Sequence, residues 1–267
     1  TEIYTLSLHD ALPIYRHAAL EGQRQLQEQL VQSQKLEAIG TMAGGVAHEI
    51  NNPLMGIINY AQLILDRLPR DSGSLAEFAA EIIKEGDRIA AIVRNLLAFA
   101  RKDAEGLTAN RADLLINDAL GLARRMLEKD EIRMVVSIPG DLPHILCKRQ
   151  QLVQVLVNLL NNARDTSNAR YPGYHEAKKI FVEASLRTDA GKRMVRIDVR
   201  DQGEGIPAEI AGKVFDPFFS TKPKYLGTGL GLSVSYGIVK EQAGALSFDT
   251  VPGAGSTFHV DIPAADD

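Results

Sequence analysis

Apolar or small side chains fall at Leu36, Ile39, Ala43, Val46, Ile50, Leu54, Ile57, Ala61, Ile64 and Leu68, in steps that alternate between three and four. That rhythm is the seam of a coiled coil or helix bundle, and it commits the first third of the chain to long helix. Pro69 and Asp71-Ser72-Gly73 end the run, because proline and a turn cluster cannot continue a helix. A second seam follows at Leu75, Phe78, Ile82, Ile89, Ile92, Leu96 and Phe99, with Glu85 interrupting it. Two helices across a short polar turn make an antiparallel hairpin. Counted from Arg16, they would run roughly 80 Å and roughly 43 Å at 1.5 Å per residue. One hairpin cannot bury both stripes, so the chain is expected to pair as a homodimer, with a four-helix bundle and a parallel coiled-coil overhang. A helix lying on a membrane surface fits less well, because the polar face mixes both charge signs. Residues 1–15 combine β-formers with Pro13, show no helical period and are read as a fragment edge or a non-native extension, with no function assigned.

The pattern changes at Asp103-Ala104-Glu105-Gly106, which reads as a linker between a helical region at 16–103 and a second domain at 107–267. Helices are expected near Asp113–Lys129, Lys148–Thr166 and Gly229–Gln242. Strands are expected near Arg133–Ile138, Lys179–Leu186, Met194–Arg200, Ala245–Thr250 and Ser256–Ile262. Without a βαβ rhythm, these elements suggest a two-layer α+β sandwich of roughly 150 residues.

Thirty basic against thirty-four acidic residues leave a net charge of −4, which argues against nucleic-acid binding through bulk positive charge. A lone cysteine, Cys147, permits neither an intrachain disulfide nor a cysteine zinc cluster. No apolar run reaches the ~18 residues of a membrane span. The chain is expected to be soluble and cytoplasmic, with any membrane tether upstream of residue 1.

His48 sits between seam positions Val46 and Ile50 and therefore points away from the bundle core. Gly44 and Gly45 precede it, and Pro53 leaves the Glu49 carbonyl without its helical donor. A long helix is thus softened on both sides of one exposed histidine. Neutral imidazole near pH 7 offers a nitrogen lone pair as a nucleophile. Glu49 is placed to fix its tautomer and stabilise the imidazolium, and Asn52, four residues on, to orient a water.

In the second domain, Asn158 and Asn162 share a helix face beside the apolar Leu152, Val155, Leu156, Leu159 and Leu160. Asparagine is a poor helix former, and amide oxygens suit Mg²⁺ held with nucleotide phosphates. The strand Met194–Arg200 runs into Asp201-Gln202-Gly203-Glu204-Gly205. There, a carboxylate can accept from an adenine amino group while Gly203 and Gly205 admit close backbone approach. Lys222 supplies a point charge, and Gly227-Thr228-Gly229-Leu230-Gly231 opens a helix whose free N–H groups suit a phosphate. The spacing is G-x-G-x-G with no preceding strand, which excludes a Rossmann reading, and no GxxxxGK[ST] loop occurs.

In this order, the motifs resemble those of the sensor histidine kinases of two-component signalling. His48 to Leu54 resembles the phospho-acceptor box, Asn158 to Ala163 the N box, Asp201 to Gly205 the G1 box, Val214 to Lys222 the F box and Gly227 to Leu232 the G2 box. Gly253 to Phe258 matches a further glycine motif. The resemblance implies a helical hairpin forming a dimeric four-helix bundle, followed by an α+β ATP-binding domain of the Bergerat type. It implies ATP-dependent phosphorylation of His48 and transfer to an aspartate of a response regulator receiver domain. By the same matching, Asn162 would ligate Mg²⁺ with help from Asn158, Asp201 would contact adenine, and Asn52 would position water for dephosphorylating the regulator. Gln242-Ala243-Gly244-Ala245 departs from the His-Gly-Gly turn common in relatives. A nucleotide-driven clamp and a catalytically silent scaffold are the competing readings.

Overall fold

The computed structural model describes residues 50, 53–69, 73–100, 106–189, 191–222 and 229–265. His48, Glu49, Asn52, Gly227 and Thr228, with the proposed overhang before residue 49, lie outside the described residues.

Residues 53–67 form a helix, here α1, and Gly73–Ala100 form α2. They face one another through small groups. Ala61, Ala79, Ala90 and Val93 are buried, and a Cβ on Gly86 would fall 2.5 Å from Ile58 Cγ1. The bulkier seam residues behave differently: Ile57, Ile64, Leu75, Phe78 and Ile82 remain exposed, Phe78 by 64%. The hairpin therefore closes mainly on small residues together with Leu54, which is buried, and leaves most of its other large seam residues exposed.

From Thr108 onward the chain builds a second core. In order, its elements are β1 (Thr108–Arg111), α3 (Ala112–Lys129), β2 (Arg133–Ser137), β3 (His144–Cys147), α4 (Arg149–Arg170), β4 (Lys179–Asp189), β5 (Lys192–Asp201), α5 (Ala208–Ala211), α6 (Gly231–Glu241), β6 (Ala245–Val251) and β7 (Gly255–Pro263). The main sheet has five strands in the order β2-β4-β5-β7-β6, and β1 pairs with β3 in a separate two-stranded ribbon. All pairings in the main sheet are antiparallel except β2 with β4, where Arg133 registers with Lys179. A parallel edge pair requires a crossover, so one crossover through α4 exists where the sequence shows no βαβ rhythm.

Alternation in the strands decides which face is covered. Val195, Ile197 and Val199 of β5, with Ile180 and Val182 of β4 and Phe258, Val260 and Ile262 of β7, form one core with α3, α4 and α6. The opposite face is polar and tied across strands: Arg196 donates twice to Asp261 at 2.7 Å, and His259 lies between Asp198 and Asp249 at 2.7 and 3.1 Å. The architecture is the expected two-layer α+β sandwich.

The element boundaries differ from the sequence reading in identifiable ways. α4 continues past Thr166 to Arg170, where Ser167 is buried and satisfies its hydroxyl by donating to the Ala163 carbonyl at 2.7 Å. The strands β1 and β3 and the single turn α5 are additions of four residues each, too short to show a period. Gln242 is fully buried: its Oε1 accepts from the Lys148 N–H at the start of α4 (2.9 Å), and its Nε2 donates to the Ile238 carbonyl. The departure at that turn thus has a structural role. Burial pushes the Cys147 thiol up to about 11, which leaves it inert. Among the described residues, no helix is long and apolar enough to cross a membrane.

Candidate nucleotide site

α4 is amphipathic in an unusual sense. One side, Leu152, Val155, Leu156, Leu159 and Leu160, is buried on the sheet. The neighbouring side carries Asn158, Asn162 and Thr166 at four-residue spacing, so the three polar groups stack along one line. Asn158 Nδ2 donates to the Gly231 carbonyl (3.5 Å) and to Ser235 Oγ (3.4 Å), tying the first turn of α6 to α4. Asn162 Oδ1 accepts from Lys222 Nζ at 3.2 Å. Thr166 Oγ1 lies within bonding distance of the Asn162 and Ala163 carbonyls and also hydrogen-bonds Asp201.

Asp201 closes β5 and is 4% exposed. Burial pushes its carboxyl above the ordinary carboxylate range. Hydrogen bonds from the Gly203 N–H, at 2.8 Å, from the Ser256 backbone and from Thr166 pull the other way and lose. A carboxylate in such surroundings strongly rewards a further donor.

The glycines are required by close packing against the protein itself. A Cβ on Gly203 would meet Thr166 Cβ at 2.7 Å, one on Gly205 would meet the Val251 carbonyl oxygen at 2.5 Å, and one on Gly255 the Asp201 backbone carbonyl oxygen at 2.2 Å. Gly205 and Gly255 also adopt φ of +75° and +111°, which side-chain-bearing residues rarely reach. The β6–β7 turn thereby lies directly on the 201–206 loop, and Ile206 N–H donates to Thr250 Oγ1 at 2.8 Å. Gly229, at φ +67°, packs on the Phe218 backbone at 2.4 Å by the same measure. This contact brings the F-box segment and the start of α6 together. Leu230 is buried beneath it, and its carbonyl accepts the Val234 N–H that starts α6.

The structure thus gathers Asn158, Asn162, Asp201, Gly203, Gly205, Lys222, Gly229, Leu230 and Gly231 around one end of α4. Four contributors escape a motif-by-motif reading: Asp165, Thr166, Arg170 and Thr250. Asp165 Oδ2 accepts from Lys222 Nζ at 2.5 Å. Arg170 Nη1 donates to the carbonyls of Gln202 and Gly203, at 3.1 and 2.7 Å. Spacing held a signal for Asp165, Thr166 and Arg170, which lie three, four and eight residues past Asn162 and so on its face. A groove of about 530 Å³ between α3 and α4, lined by residues including Asp118, Leu122, Arg149 and Val153, shares no residue with this site.

The donor set suits an adenine nucleotide with a divalent ion. A buried carboxylate beside a hydroxyl can read an exocyclic amine, and the α6 N-terminus and Lys222 can meet phosphates. Asn162 Oδ1 already receives a cation, the Lys222 ammonium. Among the described residues, no cluster of three or more His, Cys, Asp or Glu could hold a metal alone.

Fold and site together define an ATPase domain of the kind found in histidine kinases. A family profile described as "Histidine kinase-, DNA gyrase B-, and HSP90-like ATPase" matches residues 147–266, and one described as "His Kinase A (phospho-acceptor) domain" matches residues 38–105. The sensor kinase CckA of Brucella abortus (strain 2308) is 36% identical, over 90% of this chain and 26% of its own length. The sensor histidine kinase ZraS of Escherichia coli (strain K12) is 36% identical over 91% of this chain and 50% of its own. The chain therefore spans half the length, or less, of these curated relatives. A crystal structure of the histidine kinase ThkA in complex with the response regulator protein TrrA superposes with a TM-score of 0.61 at 26% identity, covering 90% of this chain and 66% of that one. Full-length ShkA in complex with AMPPNP gives a TM-score of 0.66 at 23% identity, over 85% and 47% of the two chains, a likeness of fold. The chain belongs to the sensor histidine kinases of two-component signalling.

Gly205→Ala is expected to destabilise the protein by at least about 1–2 kcal/mol, the penalty for a left-handed backbone with a Cβ, read as a lower thermal midpoint. Asp201→Asn tests the buried charge. Because the folded-state value is raised, the stability this group contributes is fully present below its unfolded value of about 3.9 and lost as pH rises through the folded value. Nucleotide-free wild type should therefore gain urea resistance relative to Asp201→Asn as pH falls from 7 to 4.5. A constant difference, or one of opposite sign, would contradict the burial argument.

Proposed function

We propose that the chain is the phosphoryl-transferring core of a protein-histidine kinase, which phosphorylates His48 from Mg·ATP and passes the group to an aspartate of a response regulator. The observation that carries this reading is the buried Asp201 carboxylate set beside Thr166, at the end of a helix whose Asn162 accepts a cation. The pocket would orient the nucleotide through adenine, with Gly203 and Gly205 holding the loop close. Lys222 and the N–H groups at Gly229, Leu230 and Gly231 would face its phosphates, and Gly227 and Thr228 belong to the same motif. Asn162, assisted by Asn158, would hold Mg²⁺, which supplies charge neutralisation across the phosphates.

The neutral imidazole of His48 attacks the terminal phosphorus in line; an N–P bond forms, the bridging P–O bond breaks, and its electron pair leaves with ADP. Glu49 takes a hydrogen bond from the other ring nitrogen and stabilises the imidazolium. Positioning and charge stabilisation provide most of the acceleration in such transfers. Asn52 would orient a water for dephosphorylating the regulator, a phosphatase activity that goes beyond the kinase reading. The regulator as partner is supported by the relatives and by the ThkA–TrrA complex.

Homodimerisation is supported by the hairpin. Phe78 and Ile82 are 64% and 46% exposed on one face of α2, a contiguous apolar stripe of the kind that marks an interface. Phe78→Glu with Ile82→Glu should yield a monomer by light scattering while nucleotide binding persists; a dimer of unchanged mass would contradict this. The activity is tested with γ-labelled ATP and Mg²⁺. Acid-labile, alkali-stable label that vanishes in His48→Ala is expected. Free phosphate without labelled protein would favour the nucleotide-driven clamp, and no turnover would favour the scaffold.

A further inference from the structure

Lys222 and Asp165 are more than neighbours of the site. Asp165 Oδ2 lies 2.5 Å from Lys222 Nζ, and the same ammonium donates to Asn162 Oδ1 at 3.2 Å. The amide oxygen read as the metal ligand is thus already bound to a positive charge supplied by the protein. Arg164 does not take over this role. Its Nε pairs with Asp130, and its Nη1 stands a loose 3.5 Å from the other oxygen of Asp165. The Lys222 backbone is fixed as well, its N–H donating to Ser220 Oγ at 3.2 Å.

We propose that Lys222 is an internal counter-cation that stands in for the divalent ion at Asn162, and that Asp165 is the positioning residue that keeps it there. The inference rests on the nucleotide reading above. Its logic is competition for one oxygen. A lysine ammonium and a metal ion cannot share Asn162 Oδ1 at bonding distance without like-charge repulsion, so the metal form requires the ammonium to withdraw. Without metal, the ammonium is already in place to neutralise the phosphates of a bound nucleotide. Asp165 lies no farther from Asn162 Oδ1 than those two contacts combined, so its carboxylate faces whichever cation occupies the spot. When Lys222 is removed, the carboxylate keeps only the 3.5 Å contact from Arg164 Nη1 and its charge is largely uncompensated beside the phosphates.

Two consequences separate this role from a plain surface ion pair. The wild type should bind metal-free nucleotide unusually well, so the advantage conferred by metal is small. Loss of the lysine should enlarge that advantage, chiefly by weakening metal-free binding.

The test is equilibrium titration of ADP onto the full chain by calorimetry, in Mg²⁺ and in EDTA, for wild type, Lys222→Met, Lys222→Arg, Asp165→Asn and the Lys222→Met/Asp165→Asn double variant. The readout is the ratio of Kd in EDTA to Kd in Mg²⁺. Lys222→Met should raise that ratio about three- to fivefold, the scale of a partly exposed ion pair, and Lys222→Arg should change it less. Asp165→Asn should partly restore metal-free binding in the Lys222→Met background and have a smaller effect in the wild type. A ratio unchanged or lowered by Lys222→Met, with normal wild-type affinity, overturns this inference alone. Additive effects of the two substitutions overturn the part assigned to Asp165. Wild type that binds ADP in neither condition overturns the nucleotide reading, and this inference with it.

Discussion

A carboxylate kept 4% exposed at the end of β5 governs the geometry of the second domain. Burying a charge is unfavourable unless hydrogen bonds surround it, and Asp201 meets that demand with the Gly203 N–H, the Ser256 backbone and Thr166. Each partner comes from a different piece of chain: the loop after β5, the start of β7 and the last turns of α4. Packing around this carboxylate leaves no room for a Cβ at Gly203, while Gly205 and Gly255 are excluded by the Val251 and Asp201 backbones where the β6–β7 turn lies on the 201–206 loop. Only Gly203 answers to the acid directly, and burial is what raises the Asp201 carboxyl.

The same economy appears in α4. Asparagine lowers helix propensity, yet this helix runs from Arg149 to Arg170 because its other side buries Leu152, Val155, Leu156, Leu159 and Leu160 against the sheet. Core packing holds a polar, weakly helical stripe in place, and Asn158 uses that stripe to anchor α6. In the hairpin, the division runs the other way. Its small residues and Leu54 close the chain on itself, while Ile57, Ile64, Phe78 and Ile82 stay uncovered.

Much of this was legible in the residues. Alternation placed Val195, Ile197 and Val199 inward, and they are at most 1% exposed. The helix and strand series after residue 107 was readable because long amphipathic segments carry a clear period. The short ribbon β1–β3 was not, since four-residue strands give too few positions for alternation to register. The parallel pairing of β2 with β4 was equally hidden, because strand order is decided by tertiary packing. At the site, motif glycines and asparagines were visible by type and spacing. Spacing puts Thr166, Arg170 and Asp165 on the face of Asn162, but their partners lie 32 to 57 positions away, such as Gln202 for Arg170 and Lys222 for Asp165, and no local pattern says which partners they meet. His48, Glu49, Asn52, Gly227 and Thr228 stand on their sequence motifs.

The central claim is that a nucleotide settles where α4, the 201–206 loop and the first turn of α6 meet. Hydrogen exchange of the full chain, followed by mass spectrometry with and without ADP and Mg²⁺, tests it most directly. Slowed exchange concentrated in peptides covering 158–166, 201–206 and 229–234 is the predicted result. Protection centred instead on the α3–α4 groove around 117–122 and 149–153, with those three segments unchanged, would contradict it.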